Sequence, residues 1–215
     1  MTPQPIHVAY LLADAGIVFS DFKKGCSIHA RSMIRALEQE GCQVQTFVMR
    51  RGRKMPEFDT REVEQSDWVK FWRKHVVEKK LRHLLPPNVA NALHWLGWHR
   101  DFYRDALGKL RKKPPDFLYA RHAWLSWPYA KLKKRLRVPL VLEVNAVMSI
   151  EKASRGEEAW AWLTKKIERK GFEVADWILP VSEEIKDQIV AMGIPAEKVI
   201  VTPNAVDLEL FAPRK

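Results

Sequence analysis

Two polar residues follow an apolar run near the middle of the chain. Residues 140–142 are Leu-Val-Leu, and Glu143 and Asn145 come after them, separated by one residue. A buried carboxylate without a partner is costly, so Glu143 needs a partner or a hydrated cleft. The pair indicates a site for polar ligands in which Glu143 is a candidate catalytic carboxylate. The alternative is a structural glutamate that accepts hydrogen bonds from loop amides.

Arg121 and His122 stand at the end of another apolar run, residues 117–120. A neutral imidazole can accept a proton or orient a substrate hydroxyl near physiological pH, so His122 is a second candidate catalytic residue. A packed or hydrogen-bonded histidine is the alternative. Arg121 has two open roles, because a guanidinium can pair with an anionic substrate or with a surface carboxylate.

Gly25 opens the first long helical pattern, where a glycine lets the backbone approach a ligand. The free N–H groups of a helix start favour phosphate or another anion. Neither a GxGxxG fingerprint nor a P-loop is present, so a glycine that serves only the loop geometry is an equal alternative. Ser182 follows the last apolar strand pattern and can cap the helix after it.

Strand and helix patterns alternate along the chain, which predicts an α/β fold with a doubly wound, mostly parallel sheet flanked by helices. Strand patterns occur at residues 7–12, 44–48, 117–120, 140–144, 177–180 and 199–201, and helical patterns at 28–40, 68–110, 127–137, 157–175 and 183–192. The side chains predicted to face inward from 157–175 are Trp160, Leu163, Ile167 and Phe172. Residues 50–67 are charged and predict an irregular surface excursion. Ligands bind such sheets where the strands end.

The 215 residues predict one sizeable domain, or one domain with an inserted subdomain. The two cysteines, Cys26 and Cys42, lack metal-site spacing and fit a reducing compartment. Neither a signal-peptide pattern nor an apolar run of membrane-spanning length is present. We therefore expect a cytoplasmic protein without a metal site.

The net charge of +11 is concentrated in residues 68–113, which hold twelve Lys or Arg against three Asp or Glu. The residues that share one helical face there are Trp68, Phe71, Trp72, His75 and Val76. This basic helical insert is typical of a helix in an anionic membrane interface. It is equally typical of an insert whose aromatic residues pack on the sheet while its charges are solvated. Nucleic acid ranks third, since no recognition motif is present, and no specific nucleic-acid partner is expected.

Three short motifs follow one another near the carboxyl end. Val-Ser-Glu stands at 181–183, Gly-Ile-Pro at 193–195 and Pro-Asn-Ala-Val-Asp at 203–207. In this order they resemble the close of the first domain in family-4 retaining glycosyltransferases of the GT-B fold, which usually carry Gly where this chain has Ala205. The resemblance covers nearly the whole chain and is poorest between residues 50 and 114. It implies the Rossmann-like N-terminal domain of that fold.

The resemblance also implies roles for individual residues. Gly25 and His29 match a glycine-rich loop and a histidine on the first helix, with Lys24 in place of the usual first glycine. The strand that ends in Arg121 resembles one that faces the cleft, and Glu143-x-Asn145 with a later glutamate resembles a segment on the acceptor side. The expected site therefore has His122 and Glu143 as catalytic residues, and Gly25, His29, Arg121, Asn145, Glu151, Ser182 and the hinge residue Asn204 as substrate-binding residues.

The activity implied is transfer of a hexosyl group, with retained anomeric configuration, from a nucleotide-sugar to a hydroxyl of a glycan or glycolipid. Polysaccharide, lipopolysaccharide or glycolipid synthesis is the expected setting, with neither a metal nor another cofactor. Residues 1–202 are expected to form the acceptor-side domain and 203–215 a linker to a nucleotide-sugar domain supplied in cis or in trans. Residues 1–215 alone are not expected to turn over. The alternatives are a non-catalytic module at the inner membrane surface and one subunit of a split glycosyltransferase.

Overall fold

A parallel β-sheet of six strands forms the centre of the molecule. The computed structural model describes residues 4–77, 85–156 and 161–205. The strands are β1 (Ile6–Leu12), β2 (Cys42–Val48), β3 (Thr60–Glu62), β4 (Phe117–Arg121), β5 (Leu140–Val144) and β6 (Trp177–Pro180). Their order is β3-β2-β1-β4-β5-β6, and every neighbouring pair is parallel. The winding direction reverses between β1 and β4, so the predicted doubly wound α/β fold is confirmed.

Helices connect the strands. They are α1 (Gly25–Gln39), α2 (Asp67–Trp72), α3 (Pro87–Leu110), α4 (Pro128–Leu136), α5 (Met148–Ser154), α6 (Ala161–Val174) and α7 (Glu183–Ala191). A π-helical turn at Arg73–Val77 extends α2, and a 3-10 turn at Ala196–Lys198 follows α7. α3 and α4 each begin with proline, whose missing N–H is not needed at a helix start. None of the helices in the described ranges is long and apolar enough to span a bilayer.

Two hydrophobic cores lie on opposite faces of the sheet. Val8 and Tyr10 of β1 point into a core that includes Ile34 of α1. Ala9 and Leu11 point into the other core, to which α3, α4, α6 and α7 contribute. Because both of its faces are covered, β1 is buried from Val8 onwards, which explains its continuous apolar sequence.

The stretch from 50 to 67 differs from the predicted irregular excursion. Thr60–Glu62 forms β3, which pairs in parallel with the end of β2. Met55, Phe58 and Val63 are buried near this strand. β3 has only three residues, two of them charged, so its sequence carries no apolar alternation that could mark it as a strand.

The aromatic face of the basic insert is largely exposed. Trp68 stacks on Trp72 with their ring centroids 5.3 Å apart, and Phe71 lies 4.5 Å from His75. Trp68 and Phe71 remain 48% and 54% exposed, whereas Val69 is buried. The same face also contacts α3, because Trp72 Nε1 donates to Ala90 O at 3.1 Å and the Trp68 ring lies against Gly97. The face predicted from the helical spacing is therefore shared between solvent and the domain.

The helix predicted at 157–175 is present as α6, and Phe172 is buried as predicted, but in the two preceding turns the inward face is rotated by one residue. The buried residues of α6 are Thr164, Glu168 and Phe172. Leu163 and Ile167, which were predicted to face inward, are only partly buried. α5 was not predicted, because its seven residues include a single buried side chain, that of Ser149.

α7 and the segment after it complete the domain. Ser182 caps α7, and Gly193 ends it with a φ of +85°, both as predicted. The strand predicted at 199–201 is reduced to one parallel bridge between Val199 and Ile178, supported by a bond from Ile200 N to Ile178 O. The predicted features outside the described ranges are Lys79, Lys80, Arg82, Trp160 and the linker from Val206 onwards.

Candidate active-site cleft

Glu143 lies near the end of β5 and is only 3% exposed. Its Oε1 accepts hydrogen bonds from Arg121 Nη1 at 3.1 Å and from Asn145 Nδ2 at 2.5 Å. The Tyr119 hydroxyl donates to Oε2 at 3.3 Å. His29 Nε2 lies 3.0 Å from Oε1. Side chains from α1, from β4 and from the loop after β5 therefore converge on one carboxylate.

The partners of Glu143 keep its carboxyl group ionised. Burial alone raises the pKa of Glu143, but the proximity of His29 and the positive charge of Arg121 outweigh burial and hold the pKa below its ordinary value of 4.5. Burial, reinforced by the Glu143 charge, raises the pKa of the Tyr119 hydroxyl. Tyr119 therefore acts as a donor and Glu143 as an acceptor over the physiological pH range.

A cavity of about 400 Å³ opens beside Glu143, between α1 and the segment that follows β6. Its walls include His29, Ser32, Arg35, Tyr119, Glu143 and Asn204. The volume lies in the range of small-molecule sites. The structure thus brings His29, Glu143 and Asn204, three of the predicted site residues, to one cavity, which we call the Glu143 cavity.

α1 begins at Gly25 and lacks a side-chain cap. Lys24 occupies the N-cap position without a capping hydrogen bond, and no acidic residue stands in the first turn. A Cβ on Gly25 would meet no atom within 4 Å, so packing does not require glycine here. The positive end of α1 is therefore not neutralised by a side chain of its own first turn, and His29 follows one turn later.

His122 belongs to a different network from that of Glu143, although their backbones are neighbours. His122 N donates to Glu143 O at 2.7 Å. The imidazole instead meets α6, where His122 Nε2 lies 2.8 Å from Glu168 Oε1 and the ring packs against Phe172 with centroids 5.2 Å apart. The two residues predicted to be catalytic are thus adjacent in the sheet but have separate side-chain partners.

Glu168 is a site residue that sequence reasoning missed. It is 2% exposed and also accepts from the backbone N–H groups of Met148 at 2.6 Å and Ser149 at 3.1 Å. Burial alone raises the pKa of Glu168, but the bonds from His122 and Ser149 outweigh it and lower the pKa below 4.5. The available signal was its spacing of four residues from Phe172, which places both on one helix face.

A second cavity, of about 450 Å³, lies between α3 and α5. Its walls include Asp14, Asn88, Trp95, Trp124, Glu151 and Arg155. Asp14 lies two residues after β1, in the switch region, and burial raises its pKa although it accepts a hydrogen bond from the Gly16 N–H. Glu151, predicted to bind substrate, forms an ion pair with Arg155. Sequence reasoning missed Asp14 and Trp124, both of which follow strands.

The sequence profile of Glycosyltransferase Family 4 matches residues 24–210, which is most of the chain. This chain belongs to that family. The match spans the start of α1, the end of β5 and the loop that carries Asn204, so both cavities lie largely within it. Comparison with curated protein sequences found no match.

Solved structures show the same fold as this family 4 domain. Sucrose-phosphate synthase from Thermosynechococcus elongatus is 15% identical with a TM-score of 0.65, over 97% of this chain and 50% of that one. The lipopolysaccharide outer core galactosyltransferase WaaB, in its apo form, is 17% identical with a TM-score of 0.57, over 94% and 47%. HepE from Anabaena in complex with UDP and glucose is 13% identical with a TM-score of 0.60, over 95% and 46%. The chain thus spans about half the length of these structures, and the predicted Rossmann-like GT-B fold is confirmed.

The other residues predicted to bind substrate in this family 4 domain have different contacts. Ser182 Oγ accepts from Ile185 N at 3.4 Å, and Ser182 is not among the described residues that line either cavity. Arg121 and Asn145 both bind Glu143. The substrate-binding roles of these residues stay predictions. Within residues 4–77, 85–156 and 161–205, no group of three or more His, Cys, Asp or Glu side chains could hold a metal ion.

Proposed function

We propose that this domain is the acceptor-side half of a retaining glycosyltransferase, which moves a hexosyl group from a nucleotide-sugar to an acceptor hydroxyl. The observation that carries the proposal is the convergence of His29, Arg121 and Asn145 on the ionised Glu143. This cluster lies at the strand ends of a family 4 domain, the edge at which doubly wound sheets bind ligands.

The start of α1 supports the binding of the donor diphosphate. Its positive end has no capping side chain, and the residue at its first position is Gly25, which leaves the backbone open to a ligand. HepE, which has the same fold, was solved with UDP and glucose bound. A nucleotide-sugar is therefore the donor that we propose for this domain, and the proposal includes neither a metal nor another cofactor.

Glu143 and His122 support the handling of the acceptor. Transfer forms a bond from the acceptor oxygen to the anomeric carbon, breaks the bond to the diphosphate and releases the hydroxyl proton of the acceptor. An ionised carboxylate or a neutral imidazole can orient that hydroxyl or receive its proton. Glu143 lines its cavity as an acceptor of hydrogen bonds, which fits the binding of a glycan or glycolipid hydroxyl.

The proposed enzyme also includes a second domain, which binds the nucleotide-sugar. The chain spans about half the length of the GT-B structures it resembles. We assign residues 1–202 to the acceptor side and residues 203–215 to a linker, with a nucleotide-sugar domain acting in cis or in trans. A protein of residues 1–215 alone is therefore expected to fold but not to turn over.

The test is a transfer assay on residues 1–215 joined to, or mixed with, the nucleotide-sugar domain. UDP-, ADP- and GDP-hexoses are offered with glycan and glycolipid acceptors, and release of nucleoside diphosphate and the anomeric configuration of the product are measured. We expect release with one donor class and a product with the donor's configuration. An inverted product would contradict the retaining mechanism, and turnover by residues 1–215 alone would contradict the half-enzyme assignment.

Peripheral association with an anionic membrane at the inner face is a second proposed function, favoured by the exposure of Trp68 and Phe71. Both stand on α2, within the basic insert of residues 68–113. Aromatic side chains beside lysines and arginines suit a membrane interface. Liposome sedimentation is expected to show binding that requires anionic lipid and weakens with salt, and that is reduced in Phe71→Ser. Binding that is indifferent to lipid charge would contradict this proposal.

A further inference from the structure

Glu168 on α6 joins two parts of the cleft wall that are far apart in the sequence. Its Oε1 meets His122 Nε2 at 2.8 Å and Met148 N at 2.6 Å. Its Oε2 meets Ser149 N at 3.1 Å and Ser149 Oγ at 2.5 Å. The separations along the chain are 46 residues to His122 and 20 to Met148. One buried carboxylate therefore connects the end of β4 to the first residues of α5.

The chemistry of these contacts fixes where the proton on His122 lies. An ionised carboxylate has only acceptor positions, so each atom that contacts it must donate. Met148 N and Ser149 N are backbone donors, and the Ser149 hydroxyl can rotate to donate. His122 Nε2 must then carry a hydrogen, and in the neutral form of the ring Nδ1 is the nitrogen that remains as an acceptor.

α6 also holds Trp124, two residues after His122. Thr164 Oγ1 accepts a hydrogen bond from Trp124 Nε1 at 3.0 Å, and Phe172 packs against the His122 ring. Thr164, Glu168 and Phe172 are four residues apart, so they lie in a row on one helix face. The segment from His122 to Trp124 is therefore held at three points by a single helix.

We infer that Glu168 is a positioning residue, which holds His122 with its proton on Nε2 and ties that ring to the start of α5. The use of Nδ1 toward a substrate hydroxyl rests on the proposed function, whereas the tautomer does not. A residue that only stabilised α5 would need the amides of Met148 and Ser149 but would leave the His122 tautomer unspecified. The tautomer is therefore the property that separates the two roles.

The wild-type protein provides the first test. Long-range proton–nitrogen NMR correlation at about pH 8 distinguishes a ring proton on Nε2 from one on Nδ1 in neutral histidine. Comparison with the spectrum of His122→Gln identifies the His122 signals. We expect a protonated Nε2 and an unprotonated Nδ1. A proton on Nδ1 would overturn the inference. Because the sample contains neither a nucleotide-sugar nor an acceptor substrate, the result does not depend on the transfer assay.

Three variants provide the second test. Glu168→Gln replaces one of the two acceptor oxygens with an NH2 donor, so the side chain can no longer accept from His122 Nε2–H and from both backbone amides. We expect either the pure Nε2–H pattern to be lost or the amide of Met148 or Ser149 to exchange at least about tenfold faster. Ser149→Ala removes one contact of Glu168 and should retain the Nε2–H pattern. Glu173→Gln, the same change on the exposed side of α6, should alter neither property. A folded Glu168→Gln protein in which the His122 pattern and the exchange of both amides are unchanged would overturn the inference. If this variant does not fold, the wild-type spectrum decides.

Discussion

Glu143 and Glu168 are buried glutamates at one edge of the sheet, and each lies beside a histidine. Their side chains are 4% and 1% exposed. Burial alone raises both pKa values, yet in each case the neighbouring groups outweigh it and lower the pKa. The two carboxylates differ in what holds them. Glu143 is held by side chains such as those of Arg121 and Asn145, whereas two of the four contacts of Glu168 are backbone amides.

This difference separates a carboxylate that can serve a ligand from one that supports the fold. Side-chain partners can rotate, so Arg121 and Asn145 can share Glu143 with an incoming hydroxyl. Backbone amides at the start of α5 can leave Glu168 only if the helix itself moves. Glu143 also lines a cavity of about 400 Å³, whereas Glu168 lines neither of the two cavities described above. We therefore assign ligand contact to Glu143 and positioning to Glu168.

Glu168→Ala is expected to have the largest effect. The substitution leaves His122 and the amides of Met148 and Ser149 without their buried acceptor, so the free energy of unfolding should fall by about 3–5 kcal/mol. Urea unfolding followed by tryptophan fluorescence measures this change. Glu173→Ala, on the exposed side of the same helix, should cost less than about 1 kcal/mol. Equal costs at the two positions would remove the distinction between Glu168 and a surface glutamate.

Glu143→Gln is expected to affect turnover more than stability. The amide keeps the size of the side chain but loses the charge that faces the cavity, so kcat of the two-domain enzyme should fall about 100-fold. The free energy of unfolding should fall by only about 1–2 kcal/mol, because the amide oxygen of glutamine can still accept from Arg121 and Asn145. Glu184→Gln, an exposed change on α7, is the control for both assays. If the fall in kcat, expressed as a free energy, were no larger than the fall in the free energy of unfolding, Glu143 would have only a structural role.

Topology explains why one glutamate was predictable from the sequence and the other was not. Glu143 ends an apolar strand pattern, and the ends of parallel strands meet at one edge, so its place near a ligand follows from the order of the elements. Glu168 stands inside a helix, where a glutamate is normally solvated. Its burial depends on His122 and Met148, which are 46 and 20 residues away, and sequence periodicity contains no information about such contacts.

The fold was likewise predictable only where an element has a sequence pattern of its own. The strands that are buried on both faces, such as β1 and β5, were predictable because each contains an apolar run, at residues 8–12 and 140–142. β3 and α5 have three and seven residues, and neighbouring segments rather than their own patterns stabilise them. Asp14 and Trp124 follow strand ends as Glu143 does, so the rule that identified Glu143 could also have found them.

Acid titration tests the lowered pKa that Glu143 and Glu168 have in common. The pKa of Glu143 and that of Glu168 lie below the ordinary value of 4.5, so each carboxylate contributes stability that is present above about pH 4.5 and lost as the pH falls through the folded-state pKa. Each such group accounts for up to about 1.4 kcal/mol per pH unit in that window. Glu168→Gln should therefore lose less stability than wild type between about pH 5 and pH 3. Parallel stability curves would contradict the lowered pKa of Glu168.

Ser182→Ala tests a predicted site residue whose geometry is that of a cap. Loss of the Ser182 Oγ contact to Ile185 N should lower the free energy of unfolding by about 1 kcal/mol. Ser182→Asp, another good N-cap residue, should restore that stability, and transfer by the two-domain enzyme should be unchanged in both variants. A selective rise in KM with normal stability would instead support the substrate-binding role predicted from the sequence.

Gly25→Ala should have the smallest effect on stability, and its direction is informative. A Cβ at Gly25 meets no atom within 4 Å, and Gly25 is the first residue of α1. Alanine there restricts the unfolded chain, so the free energy of unfolding should rise by roughly 0.5 kcal/mol.

If the α1 amides bind the donor diphosphate, the added methyl group should still raise the KM for the nucleotide-sugar in the two-domain enzyme. Gly108→Ala, a helical position where a Cβ also meets no atom within 4 Å, should raise stability without changing that KM. An unchanged KM for the nucleotide-sugar in Gly25→Ala would mean that Gly25 serves only the geometry of the chain before α1. The ligand contacts at this edge of the sheet would then be restricted to the Glu143 cluster.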